Sequence, residues 1–158
     1  MQLVVLGLNH RSAPVAVRER FSFDKEEVKD ALKHVYEHEA VAECVLLSTC
    51  NRTELYAVLE DVAEPHDFML QLLKHIKDAE QLITDNQWFF FYEGREMIAH
   101  LFNVASSLDS LVIGEGQILS QLKVAYITAY SQGLTGPIFN IVFQRAISVG
   151  KRVRTMTG

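Results

Sequence analysis

The chain has 158 residues, 49% of them hydrophobic, enough to bury the core of one compact domain. Its formal charge of −5 excludes a protein that holds nucleic acid by bulk electrostatics, so any such contact must be local. No uncharged apolar run of about 18 residues or more occurs, and the first residues lack the basic region and cleavage site of a signal peptide, so a cytoplasmic protein without membrane association is expected.

Residues 2–8, QLVVLGL, are a short valine-containing run closed by Asn9-His10 and read as a buried strand. Asp24 followed by Glu27 makes a capping box, and Val28, Ala31, Leu32 and Val35 then recur at helical spacing, which predicts a helix over 24–38. CVLLS (44–48) and TELYAVL (53–59) read as strands, and Thr49-Cys50-Asn51-Arg52 between them is too short for anything but a hairpin tip. Pro65 opens a second helix carrying Met69, Leu72, Leu73 and Ile76, and the aromatic run WFFFY (88–92) reads as a fourth strand. The order β-α-β-β-α-β is that of the ferredoxin-like split unit.

Beyond it the pattern turns helical. Met97, Ile98, Leu101, Phe102 and Ala105 mark a helix over 95–106; Ile118, Leu122, Ala125 and Ala129 mark another over 116–131, ended by Gly133. Pro137 opens a last helix, which runs toward Gly158 and suggests a longer parent chain. No repeat or Pro/Gly-rich linker divides the sequence, so the expected class is a single α+β domain, with the sheet unit over about 1–93 and a helical part over 94–158.

Cys44 and Cys50 lie six apart across a strand-like run and are expected as free thiols. No C-x-x-C pair is present, so no structural zinc site or other metal is expected. The segment STCNRTELY (48–56) puts a thiol, hydroxyls, an amide and a guanidinium on a hairpin tip, a composition suited to a reactive site. Arg52 near Cys50 would favour the thiolate, whereas Cys44, followed by Val45-Leu46-Leu47, reads as a buried inert thiol. His100 stands beside an apolar helical stripe, where a half-packed ring with one nitrogen bonded is the plain reading and proton transfer the functional one. His10 is equally ambiguous; His34, His38, His66 and His75 read as surface residues.

Asp109, Ser110, Glu115, Gln117 and Gln121 surround a glycine-containing loop that opens a helix. Gly114-Glu115-Gly116 does not read as a dinucleotide loop, because Leu119 stands where a third glycine belongs and no strand-helix-strand unit surrounds it. Glu115 and Gln117 suit either helix capping or recognition of a small polar ligand, with Glu115 facing an ammonium. Arg145, Lys151, Arg152 and Arg154 form the one basic stretch, which a solvated helix face explains as well as a nucleic-acid contact does.

Five separated segments together resemble glutamyl-tRNA reductase: GLNHRSAPVAVRE (7–19), LSTCNRTELY (47–56), HLFNVASSLDSLVIGEGQI (100–118), SQLKVAY (120–126) and FQRAISVGKRVRT (143–155). The resemblance implies that Cys50 attacks the ester joining glutamate to tRNA and forms a thioester. It also implies that NADPH would then reduce the thioester to glutamate 1-semialdehyde, the entry to tetrapyrrole and haem synthesis. It further implies glutamate-binding positions at Thr49, Asn51, Arg52, Ser110, Glu115, Gly116, Gln117 and Gln121, and an activity-critical histidine at His100. Arg52 would clamp the substrate carboxylate and Glu115 oppose its ammonium. Members of the family resemble a three-part chain in which an NADPH-binding domain and a dimerising helical domain follow this one. A homodimer and a glutamate-1-semialdehyde aminomutase are the implied protein partners. The competing expectation is a non-catalytic ferredoxin-like module that binds an amino acid or RNA.

Overall fold

The β-α-β-β-α-β order expected from the sequence is present in the structure, a computed structural model that describes residues 1–77, 86–106 and 117–157. Strands β1 (Gln2–Asn9), β2 (Val41–Ser48), β3 (Arg52–Leu59) and β4 (Phe90–Glu93) form one sheet in the order β2-β3-β1-β4. Every neighbouring pair is antiparallel. A short helix, α1 (Val15–Arg20), follows β1; α2 (Lys25–Tyr36) and α3 (Pro65–Ile76) are the helices of the split unit. Helices α4 (Arg95–Ala105), α5 (Ile118–Ser131) and α6 (Pro137–Thr157) complete the α+β domain.

Strand β3 is buried along its whole length, so both faces of the sheet are covered. Side chains alternate between faces. Cys44, paired with Ala57, points its thiol at the Leu32 carbonyl of α2, which assigns that face to α2 and α3. Arg52, Glu54 and Tyr56 take the opposite face, where Glu54 meets His100 of α4 and Tyr56 meets Phe143 of α6 edge-on. Helix α5 runs along β2 and so covers the outer edge of the sheet.

One irregularity matters for this layering. A bulge in β2 between Val41 and Glu43 moves Glu43 from the α2 face to the α6 face. There its buried carboxylate accepts from the backbone N–H groups of Gly136, Ile138 and Phe139, the unpaired donors that open α6. Gly133 ends α5 as expected: its φ is 76°, its N–H reaches the Tyr130 carbonyl, and Leu134 N–H reaches that of Ala129. Gly150 lets α6 cross α4 closely, since a Cβ there would lie 2.4 Å from the Ala105 carbonyl oxygen.

The predicted elements differ from the observed ones mainly at their ends. Helix α2 begins after Asp24, whose side chain and Glu27 form the predicted reciprocal cap, and stops at Tyr36 rather than residue 38. Strand β2 starts three residues earlier than 44, and the aromatic run begins as a 3-10 turn (Asn86–Trp88) before β4. Helix α1 was not expected. Among the described residues no helix is long and apolar enough to cross a membrane.

Candidate active site

The link between β2 and β3 is a turn that Thr49 organises. Its N–H donates to the Arg52 carbonyl at 2.8 Å, and its hydroxyl accepts from the N–H groups of Asn51 and Arg52, both at 3.2 Å. The Thr49 side chain is thus occupied in shaping the turn, and Cys50 at its apex is exposed. Cys44 is buried; burial, and then the charge of Glu43, push its thiol up to about 12. The two cysteines are free thiols in contrasting settings, as the sequence implied.

Asn51 is 8% exposed and accepts from Nη1 of Arg18 at 3.3 Å. Two hydroxyls bring α1 to this position: Thr53 Oγ1 donates to the Phe21 carbonyl at 2.9 Å, and Ser48 Oγ accepts from Phe23 N–H at 2.9 Å. Asn9 supports the same segment from β1, its side-chain oxygen accepting from the N–H groups of Arg11 and Ser12.

On the α4 side of the sheet, Glu54 gathers a cluster that sequence reasoning did not single out. Its carboxylate, fully buried, accepts from Arg52 Nη1 at 2.9 Å, from His100 Nε2 at 2.9 Å and from the Tyr56 hydroxyl at 2.5 Å. Burial alone would raise the Glu54 carboxyl, but His100, Arg52 and the Tyr56 hydroxyl outweigh it and hold its pKa down at about 2. Burial, and then the Glu54 charge, push the Tyr56 phenol well above its ordinary range. A carboxylate only accepts, so Nε2 of His100 carries a hydrogen.

The imidazole of His100 also packs against both Phe90 and Tyr92, with ring centroids 5.0 and 5.1 Å away. Gly7 makes room for this group. It pairs with Glu54 on one side and Phe90 on the other, and a Cβ there would lie 2.6 Å from the Thr53 carbonyl oxygen, 2.9 Å from the Phe90 ring and 3.0 Å from Glu54 Cγ. The sequence signal that could have found the cluster is the spacing of Arg52, Glu54 and Tyr56, every second residue of a strand and hence one face.

Arg52, expected to clamp a substrate carboxylate, is 1% exposed and has its guanidinium engaged by Glu54 within the fold. Gln117 and Gln121 lie apart from it. They line a cavity of about 590 Å³ beside the edge of β2, together with Phe23, Leu46, Ser48 and Val124. The Cys50 turn therefore stands at the end of the sheet, with the Gln117–Gln121 cavity along the β2 edge and the Arg52–Glu54–His100 cluster on the α4 face. Ser110, Glu115 and Gly116 lie outside the described residues. His10 is half-buried, and His34, His38, His66 and His75 are exposed, as expected. Of the basic stretch, Arg145, Lys151 and Arg152 are exposed on α6 and Arg154 is half-buried. Among the described residues no group of three or more His, Cys, Asp or Glu is placed to hold a metal.

Comparison with known proteins identifies relatives of the whole chain. The family model described as "Glutamyl-tRNAGlu reductase, N-terminal domain" matches residues 6–157. A glutamyl-tRNA reductase of Desulforudis audaxviator is 44% identical over 158 residues, covering 100% of this chain and 35% of that relative. One from Rubrobacter xylanophilus is 46% identical over 161 residues, covering 100% of this chain and 36% of the relative. The solved structure of glutamyl-tRNA reductase from Methanopyrus kandleri superposes with a TM-score of 0.77 at 32% identity, over 98% of this chain and 34% of that one.

Proposed function

Because the chain belongs to the glutamyl-tRNA reductase N-terminal domain family and spans about a third of the length of the relatives it matches, we propose that it is the part of such an enzyme that takes the glutamyl group from tRNA. The observation that carries this reading is the exposed thiol of Cys50 at the apex of a hydrogen-bonded turn, against the buried thiol of Cys44. The Cys50 thiolate attacks the ester carbonyl, the ribose oxygen of the tRNA leaves, and a glutamyl thioester remains on the protein.

The other candidate residues take supporting roles. Arg52 supplies the charge that selects a substrate carboxylate; it is buried and oriented by Glu54, so a carboxylate reaching it leaves water behind and is held more strongly for that. Gln117 and Gln121 orient the glutamyl group from the neighbouring cavity. His100, fixed by Glu54 and the two aromatic rings, relays the proton that the ribose oxygen needs on leaving.

NADPH, where a whole reductase binds it, supplies the hydride that turns a thioester into an aldehyde. Among the described residues no glycine-rich loop of the dinucleotide-binding kind, with three spaced glycines between a strand and a helix, is present to cradle its phosphates. A homodimer and a glutamate-1-semialdehyde aminomutase remain proposals for the whole enzyme.

The test is intact-mass measurement after mixing the protein with glutamyl-tRNA. The expected product is a glutamyl adduct on Cys50, lost in Cys50→Ser, slowed in His100→Ala, and released as free glutamate over longer times. Reversible glutamate binding with no adduct would instead favour a non-catalytic binding module. An adduct that survives Cys50→Ser would remove the thiol from the mechanism.

A further inference from the structure

We infer that Arg18 is a further residue of the acyl-transfer site and that, with Asn51, it holds the oxygen that becomes negatively charged when Cys50 attacks an ester. This rests on the acyl-transfer reading above. It also gives a role to the first of the family-like segments, residues 7–19, which the mechanism has so far not used.

Arg18 approaches the turn because Phe21 and Phe23, just beyond α1, are fastened to the hairpin by Thr53 and Ser48. Its side chain can only donate, so the 3.3 Å contact with Asn51 identifies the facing atom as Oδ1 and turns Nδ2 away from the guanidinium. Nδ2 of Asn51 and Nε of Arg18 are both buried, and neither has a hydrogen-bond partner among the described residues. Buried donors in folded proteins nearly always find an acceptor, so two of them, one charged, on the residues that frame the nucleophile are a place for an anionic oxygen.

The reaction generates one there. Sγ of Cys50 bonds to the ester carbonyl carbon and the C=O electron pair moves onto oxygen. Collapse restores that pair and breaks the C–O bond to the ribose, whose oxygen leaves with the proton the thiol gave up. The charged oxygen is one bond from the carbon that touches Sγ, whereas the side-chain carboxylate of the glutamyl group lies farther along the substrate. Asn51 is the next residue after Cys50. Two backbone N–H groups of the turn, those of Asn51 and Arg52, are already taken by the Thr49 hydroxyl, so the side-chain donors of Arg18 and Asn51 serve the oxyanion in their place.

The experiment compares two reactions of Cys50 in wild type, Arg18→Gln and Arg18→Lys. Acylation by glutamyl-tRNA, and by p-nitrophenyl acetate as a substrate-independent ester, builds an oxyanion; alkylation by iodoacetamide does not. Arg18→Gln should lower both acylation rates by about 10²–10³-fold, leave the half-saturating glutamyl-tRNA concentration within roughly twofold, and leave alkylation unchanged at the high-pH plateau of its rate, where the lost charge no longer alters the thiolate fraction and at which both reactions are compared. Arg18→Lys, which keeps charge but loses the Nε donor, should fall between.

Equal losses in alkylation and acylation would make Arg18 a prop of the turn alone and overturn the inference. A defect confined to half-saturation would assign it to the substrate carboxylate, and wild-type acylation rates in Arg18→Gln would remove it from the site. If wild type forms no adduct with glutamyl-tRNA yet the p-nitrophenyl acetate rates still depend on Arg18, the substrate assignment fails and the oxyanion role stands.

Discussion

Replacing Glu54 by Gln tests whether the buried cluster is held by charge or only by shape. The substitution keeps volume, but the carboxylate now accepts three donors, two at Oε2 and one at Oε1. An amide offers one oxygen, so its NH₂ must face either the Tyr56 hydroxyl or the pair Arg52 and His100. Arg52, 1% exposed, would also lose the charge of Glu54 beside it. Removing one partner of such a buried pair costs about 3–5 kcal/mol, a large part of the roughly 5–15 kcal/mol that holds a domain folded. Urea unfolding at neutral pH should show that loss in the midpoint with an unchanged slope. The pH dependence gives an independent reading. A carboxyl depressed from 4.5 to about 2 contributes stability that is fully present above about 4.5 and is lost as pH falls toward 2. Over that window wild type should lose about 3 kcal/mol more than Glu54→Gln. A neutral-pH difference under about 1 kcal/mol, or parallel pH profiles, would show that the charge is not what holds the cluster.

Three further outcomes follow from the packing and the thiols. Iodoacetamide at pH 8 should label Cys50 and spare Cys44 until the protein unfolds, because a thiol at about 12 is roughly 10⁻⁴ thiolate there; equal labelling by peptide mass mapping would contradict this. Gly150→Ala should lower the thermal midpoint by an amount equivalent to about 1–3 kcal/mol, since the new methyl meets a carbonyl across the α4–α6 crossing. Glu43→Ala should cost about 2 kcal/mol by uncapping α6, and hydrogen exchange at Ile138 and Phe139 should rise more than in the sheet.

The hairpin that presents Cys50 was legible because its causes are local: two apolar runs and a link too short for a crossover. The same holds for α2, whose start is written in Asp24 and Glu27, and for the end of α5 at Gly133. What escaped depends on register. Glu54 looks like one polar residue in a strand until the sheet sets Gly7 beside it and α4 brings His100 to it from 46 residues away. Glu43 reaches α6 only because a bulge turns it over, and a bulge leaves no mark in an alternating pattern.

Helix α1 shows why the site itself was read only in part. Its six residues, VAVRER, are too few to display a helical period, and it has no side-chain cap to announce its start. Family likeness marked the segment without giving it a role. Its position is set by hydroxyls that sequence reading took for site chemistry, since Thr53 and Ser48 spend their hydrogen bonds on the Phe21 carbonyl and the Phe23 N–H. Those bonds swing Arg18 onto Asn51. The polar composition of the hairpin tip was therefore a sound sign of a site, but part of it builds the frame, and a cation that faces the nucleophile turn comes from a helix the pattern did not show.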